Sequence, residues 1–172
     1  MIVNINNPYG QQMSPTEFMY PINNSQFENN QNIPLLGELS YDRLVKTIYD
    51  SIVAEATAAK FYTKLLDLAP NEIHHKMIKH ARNDELKHIE SFTMLYARLV
   101  GHIPHVRLEP SQISNYNSGI LTALKSEIEA VELYRDLQLV TMNPVIQEPF
   151  YRAMVNKMEH ANQFGELYHS LN

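Results

Sequence analysis

From Ser40 onward, apolar positions recur three and four residues apart, the period of helices that bury one face. Leu44, Ile48, Ile52, Ala58, Tyr62, Leu65 and Leu66, with Ser51 and Glu55 on the same side, predict a first helix capped by Ser40 and broken at Ala69-Pro70-Asn71. Asn71 is placed to cap a second helix, which carries Ile73, Met77, Ile78, Ala81, Glu85, His88, Phe92, Leu95, Tyr96 and Leu99 on one side until Gly101 stops it. Each helix approaches thirty residues, or about 45 Å at 1.5 Å per residue. A third is expected from near Ser114 to about Val140. A fourth follows Asn143-Pro144, with the asparagine as cap and the proline at the first helical position. Pro149, inside its first turns, should kink it or delay its regular start.

The segment from His102 to about Ser114 carries Pro104 and Pro110 and has no helical period. Extended, it reaches about 43 Å, enough to run the length of a bundle as one long crossover. Residues 1–37 are rich in Asn and Gln, carry Pro8, Pro15, Pro21 and Pro34, and read as an extended N-terminal arm. Its Phe18, Met19, Tyr20 and Phe27 could lie along the bundle or a neighbouring subunit. Residues 38–172 are then one all-α four-helix domain, since 172 residues are too few for two comfortable ones.

The two halves repeat. With residues 50–100 laid on 122–172, Glu55 falls on Glu127, Ala58 on Ala130, Tyr62 on Tyr134, Leu65 on Leu137 and Asn71 on Asn143. Ala81 falls on Ala153, His88 on His160, Phe92 on Phe164, Leu95 on Leu167, Tyr96 on Tyr168 and Leu99 on Leu171. Ordinary composition would give roughly three identities over such a stretch. The matches favour inward-facing positions, so the reading is a duplicated helix pair in which like residues of both halves face each other at one depth.

Composition narrows the chemistry. A net charge of −5 without a Lys/Arg cluster leaves no footprint for nucleic acid or an anionic membrane surface. No stretch is apolar enough to span a bilayer and no basic-then-apolar leader opens the chain, so the cytoplasm is the expected location. The absence of cysteine excludes disulfides, thiolate-bound metals and cysteine nucleophiles. Any metal must be held by oxygen and nitrogen.

Glu85-Leu86-Lys87-His88 is a Glu-x-x-His step that sends both side chains from one helix face. Alone it is weak. Together with an inward Glu55, an inward Glu127 and an inward His160 it makes the set that a two-metal carboxylate site in a bundle core requires. Burying such groups without a cation costs several kcal/mol per charge.

Glu55-x-x-Ala58-x-x-x-Tyr62, Asp84-Glu85-x-x-His88-x-x-x-Phe92, Glu127-x-x-Ala130-x-x-x-Tyr134 and a fourth helix around His160 together resemble the ferritin-like superfamily of diiron-carboxylate proteins, rubrerythrin type. The resemblance covers about residues 40–172. It implies a ferritin-like bundle with metal ligands at Glu55, Glu85, His88, Glu127 and His160, and Tyr62 and Tyr134 donating hydrogen bonds to those ligands. It implies iron, as two ions or one, with manganese or zinc as alternatives on ligand type. It further implies a diiron-type oxidoreductase, peroxidase or ferroxidase-like, acting on peroxide, oxygen or Fe(II) and fed by an unknown electron donor.

The sequence departs from that family twice. It has no cysteine with which to build the rubredoxin module that rubrerythrins usually carry, and Lys157 stands where the fourth, bridging glutamate is expected. Glu159 is turned about 200° round the helix and is a poor substitute. Three glutamates and a lysine leave two negative charges, matched by one divalent ion. The core can hold two ions if the lysine swings outward, one ion beside it, or none if the lysine closes an ion-paired core. A structural or interaction protein on a degenerate bundle is therefore the rival to an enzyme. His74, His75, His80, His102, His105 and His169 form no ligand pattern with one another and read as surface or loop positions. A homodimer or higher homo-oligomer is expected, two-fold assemblies being commonest.

Overall fold

The computed structural model describes residues 40–108, 112–139 and 141–171. The arm expected over 1–37 and the middle of the crossover lie outside the described residues. Four helices follow one another: α1 (Tyr41–Leu66), α2 (Glu72–Val100), α3 (Tyr116–Gln138) and α4 (Pro144–His169).

Their ends follow from local chemistry. Ser40 caps α1 by accepting from the Arg43 N–H, and Asn71 caps α2 by accepting from Ile73 and His74. Gly101 ends α2 at φ +86°, a left-handed conformation that glycine alone adopts without strain. The third helix starts two residues later than expected. Its cap is Asn115, which accepts from the Ser118 N–H while the Ser118 hydroxyl meets the Asn115 backbone, a reciprocal box. Asn143 caps α4 with Pro144 in its first turn. Of the two effects expected of Pro149, a delayed start is not seen, because α4 runs from Pro144 onward with Pro149 inside it. So near an N-terminus the missing N–H forfeits about one intrahelical bond.

α1 packs along α2 and α3 along α4, and the two hairpins join through α2 on α4 and α1 on α3. That leaves α2 and α3 on a diagonal. His74 at the start of α2 meets Tyr116 at the start of α3 (2.8 Å), and Ser170 after α4 reaches the same ring. The connection from α2 to α3 therefore returns the length of the bundle, passing Tyr49 of α1, whose hydroxyl donates to the His105 carbonyl at 3.1 Å. Gly119 lets α3 approach α1 closely: a Cβ there would stand 2.6 Å from Leu65 Cδ1.

The interior holds two apolar clusters. One gathers Leu44, Ile48, Ile52, Phe92, Leu99, Ile146 and Phe150 toward one end; the other gathers Leu65, Ile78, Ala81, Ile120, Phe164 and Leu167 toward the other. Between them lies a layer of buried charge. Among the described residues no helix is long and apolar enough to cross a membrane.

Candidate metal centre

The charged layer is built by the repeat. Glu55 and Glu127 project from the middle of α1 and α3, and Glu85, His88, Lys157 and His160 from the middle of α2 and α4, all at most 5% exposed. The five residues expected to hold a metal converge here, with both tyrosines beside them. Tyr62 donates to Glu127 Oε1 and Tyr134 to Glu55 Oε1, so each tyrosine fixes the carboxylate of the opposite half.

Lys157 does not swing outward. Its ammonium lies 2.5 Å from Glu85 Oε2, 3.0 Å from Glu55 Oε2 and 3.5 Å from Glu127 Oε2. Burial alone would strip its proton, but those three carboxylates outweigh it and hold the pKa above the usual lysine range. In return, Lys157 overcomes the burial of Glu55 and holds it well below the usual carboxylate range, and His160 with Lys157 overcomes the burial of Glu127 and lowers it. Burial and the Glu55 charge push Glu85 the other way, upward.

The two histidines differ in what surrounds them. His88 Nδ1 lies 3.3 Å from both Glu55 Oε2 and Glu85 Oε2, the two oxygens nearest the ammonium. Against the pull of burial, those carboxylates raise its pKa to about 9. His160 sends Nδ1 inward, 3.2 Å from Glu85 Oε1 and 3.7 Å from Glu127 Oε2, and Nε2 outward, 3.3 Å from Asp84 Oδ2. Burial again opposes, yet Asp84, Glu127 and Glu85 bring it up to about 11.

Two second-layer residues carry no role in the sequence reading: Asp84, on His160 Nε2, and Asn156, whose amide lies 3.1 Å from His88 Nε2. They are partners under the same 72-residue shift. The substitutions Asp84 to Asn156 and Glu85 to Lys157 thus sit side by side in the repeat, and both remove negative charge from the second half. Their signal was adjacency to the ligand positions, which identity matching does not register.

His74 corrects the surface reading, while His80 keeps its exposed place but joins the edge of the charged layer. His74 is buried between Tyr116 and Ser170 as a staple at one end of the bundle. His80 is 47% exposed, but its Nε2 is 3.3 Å from Asp84 Oδ2 and 3.2 Å from Glu159 Oε1.

Glu85 Oε1, Glu127 Oε2 and His160 Nδ1 are buried and make no hydrogen bond. They lie close together without the alignment to pair, all within 4.8 Å of one another. Buried polar atoms are ordinarily satisfied. Two carboxylate oxygens and an imidazole nitrogen, with Asp84 steadying the far side of the ring, are a donor set that suits one divalent cation. Glu55, Glu85 and His88 form a similar set on the other side, but there the two oxygens that face His88 already receive the Lys157 ammonium.

No family model matches the chain. Among solved structures the fold resembles a two-domain protein from Anabaena variabilis that contains DJ-1/ThiJ/PfpI-like and ferritin-like domains, with a TM-score of 0.62 and 13% identity over 78% of this chain. This chain spans 38% of that protein. It also resembles a hypothetical protein from Pyrococcus furiosus, with a TM-score of 0.64 and 19% identity, covering 73% of this chain and 88% of the other. These likenesses, with the four-helix topology, establish a ferritin-like bundle. In sequence the chain is 31% identical over 122 residues to YhjR, an uncharacterized protein of Bacillus subtilis, covering 70% of this chain and 83% of YhjR. The chain therefore belongs to the same family as YhjR.

Proposed function

We propose that the protein binds one redox-active divalent cation in its core, held by Glu85, Glu127 and His160, with the Lys157 ammonium fixed where a second ion would otherwise sit. The observation that carries this reading is the convergence of three buried donor atoms, none of them in a hydrogen bond, beside a lysine that consumes the donors of the other half. Charge supports it. With neutral rings, the three glutamates and Lys157 are two charges short of neutrality, which one divalent ion supplies; without the ion, protons on His88 and His160 supply the same two.

The ligand set suits iron or manganese, with zinc compatible. A bound iron or manganese would supply one-electron chemistry toward an oxidant, and the resemblance to rubrerythrin-type proteins points to peroxide, oxygen or Fe(II) as substrates in the cytoplasm, with an electron donor outside this chain. Within that function Tyr62 orients Glu127, Asp84 orients His160, and Lys157 holds Glu55 and Glu85 in place while keeping a proton next to the ion. Self-association as a homodimer belongs to the same proposal. Tyr151, Val155 and Met158, exposed at i, i+4 and i+7 on α4, offer a second copy an apolar stripe.

Anaerobic titration with Fe(II) tests the reading: one ion per chain, with a colour change on adding peroxide. Lys157→Glu should raise the capacity to two. A second reading, a metal-free bundle serving as a structural or interaction protein, is favoured by the contact of Lys157 with all three glutamates. Zero bound Fe(II) would select it.

A further inference from the structure

His80, Asp84 and His160 lie outside the inner donor set yet touch it through one ring. His80 and Asp84 are one turn apart on α2, and the His160 Nε2 faces them from α4. Both Nε2 atoms stand 3.3 Å from the same Asp84 Oδ2, and the two imidazoles meet edge to face with centroids 5.9 Å apart. All three ligand atoms are within 4.8 Å of one another. Lys87 binds the other oxygen, Asp84 Oδ1, at 2.7 Å, which leaves Oδ2 to the rings. Glu159, anchored by Gln163, brings a second carboxylate to His80 at 3.2 Å.

Exposure grades along this cluster. His80 is about half exposed, Asp84 is 5% exposed and His160 is fully enclosed. We propose that His80, Asp84 and His160 form an outer divalent-cation site, the first stop of an ion travelling from solvent to the inner donors. Two imidazoles and one carboxylate suit a borderline cation such as Fe(II), Co(II) or Zn(II). A neutral imidazole has one lone pair to give. His160 therefore serves an outer ion through Nε2 or an inner ion through Nδ1, and the two positions fill in turn rather than together. Binding at the outer site stands on its own geometry; delivery inward rests on the single-ion reading above.

Anaerobic Co(II) uptake, followed by its absorption and by metal content after gel filtration, separates the two ideas. His80→Gln, a change at a half-exposed position, should slow loading by about tenfold, the order of effect of losing a supporting contact at a metal site, while the final content stays at one ion. Glu127→Gln disables the inner site and should retain one Co(II) held outside, which the combination with His80→Gln loses. Loading of His80→Gln at the parent rate, or a Glu127→Gln protein that keeps no Co(II) or keeps it without His80, overturns the outer site. A parent that depends on His80 but not on Glu127 overturns the inner reading and leaves the outer site standing. A parent that takes up no Co(II) overturns both.

Discussion

Lys157 decides the character of the core. A buried ammonium in contact with three glutamates contributes little net stability over an apolar side chain, but losing it alone leaves three buried carboxylates with only the two imidazolium rings to balance them. Lys157→Met should therefore destabilise the metal-free protein by about 3–5 kcal/mol in urea denaturation, and a divalent ion should restore most of the loss. The histidines set the pH response. Their folded pKa values, about 9 for His88 and about 11 for His160, lie above the unfolded value, so their stabilisation is complete below about 6.5. It fades as pH rises through the folded values. The metal-free protein should accordingly have a lower urea midpoint at pH 9.5 than at pH 6. Ion binding carries the opposite sign, because a ligand ring must be neutral: calorimetry in buffers of different ionisation enthalpy should show proton release on loading and tighter binding as pH rises.

At the scale of the helix, what the sequence discloses depends on whether the signal is local. Asn71 and Asn143 are legible caps because each precedes a fresh apolar period and one repeats the other. Asn115 was not, since its box closes on Ser118 rather than on the Glu or Gln that marks the usual motif. Pro149 sits inside α4 without delaying its start, because one missing N–H so near the N-terminus forfeits only about one intrahelical bond. Gly119 reads as an ordinary weak spot in a helix, yet it is the point where α3 approaches Leu65 of α1, a fact available only once the helices are packed. Gly119→Val should cost about 1–3 kcal/mol by overpacking, read as a lower thermal midpoint with the helical circular dichroism retained.

At the scale of the molecule, the duplication made the bundle and the inward glutamates and histidines legible, because pseudo-two-fold packing forces equivalent residues to one depth. The same symmetry concealed what broke it. Asn156 and Lys157 stand opposite Asp84 and Glu85, and spacing cannot tell whether a lysine at a ligand position turns inward; the ammonium between three carboxylates shows that it does. His80 reads as a surface position in the sequence, and it is one; its approach to His160 depends on the packing of α2 against α4. The most direct test is an anomalous difference map from crystals loaded anaerobically with Fe(II) or Mn(II). A single peak is expected in the core between Glu85, Glu127 and His160, with Lys157 still on Glu55 and Glu85. Two core peaks with the lysine displaced, or a core without any, would contradict it.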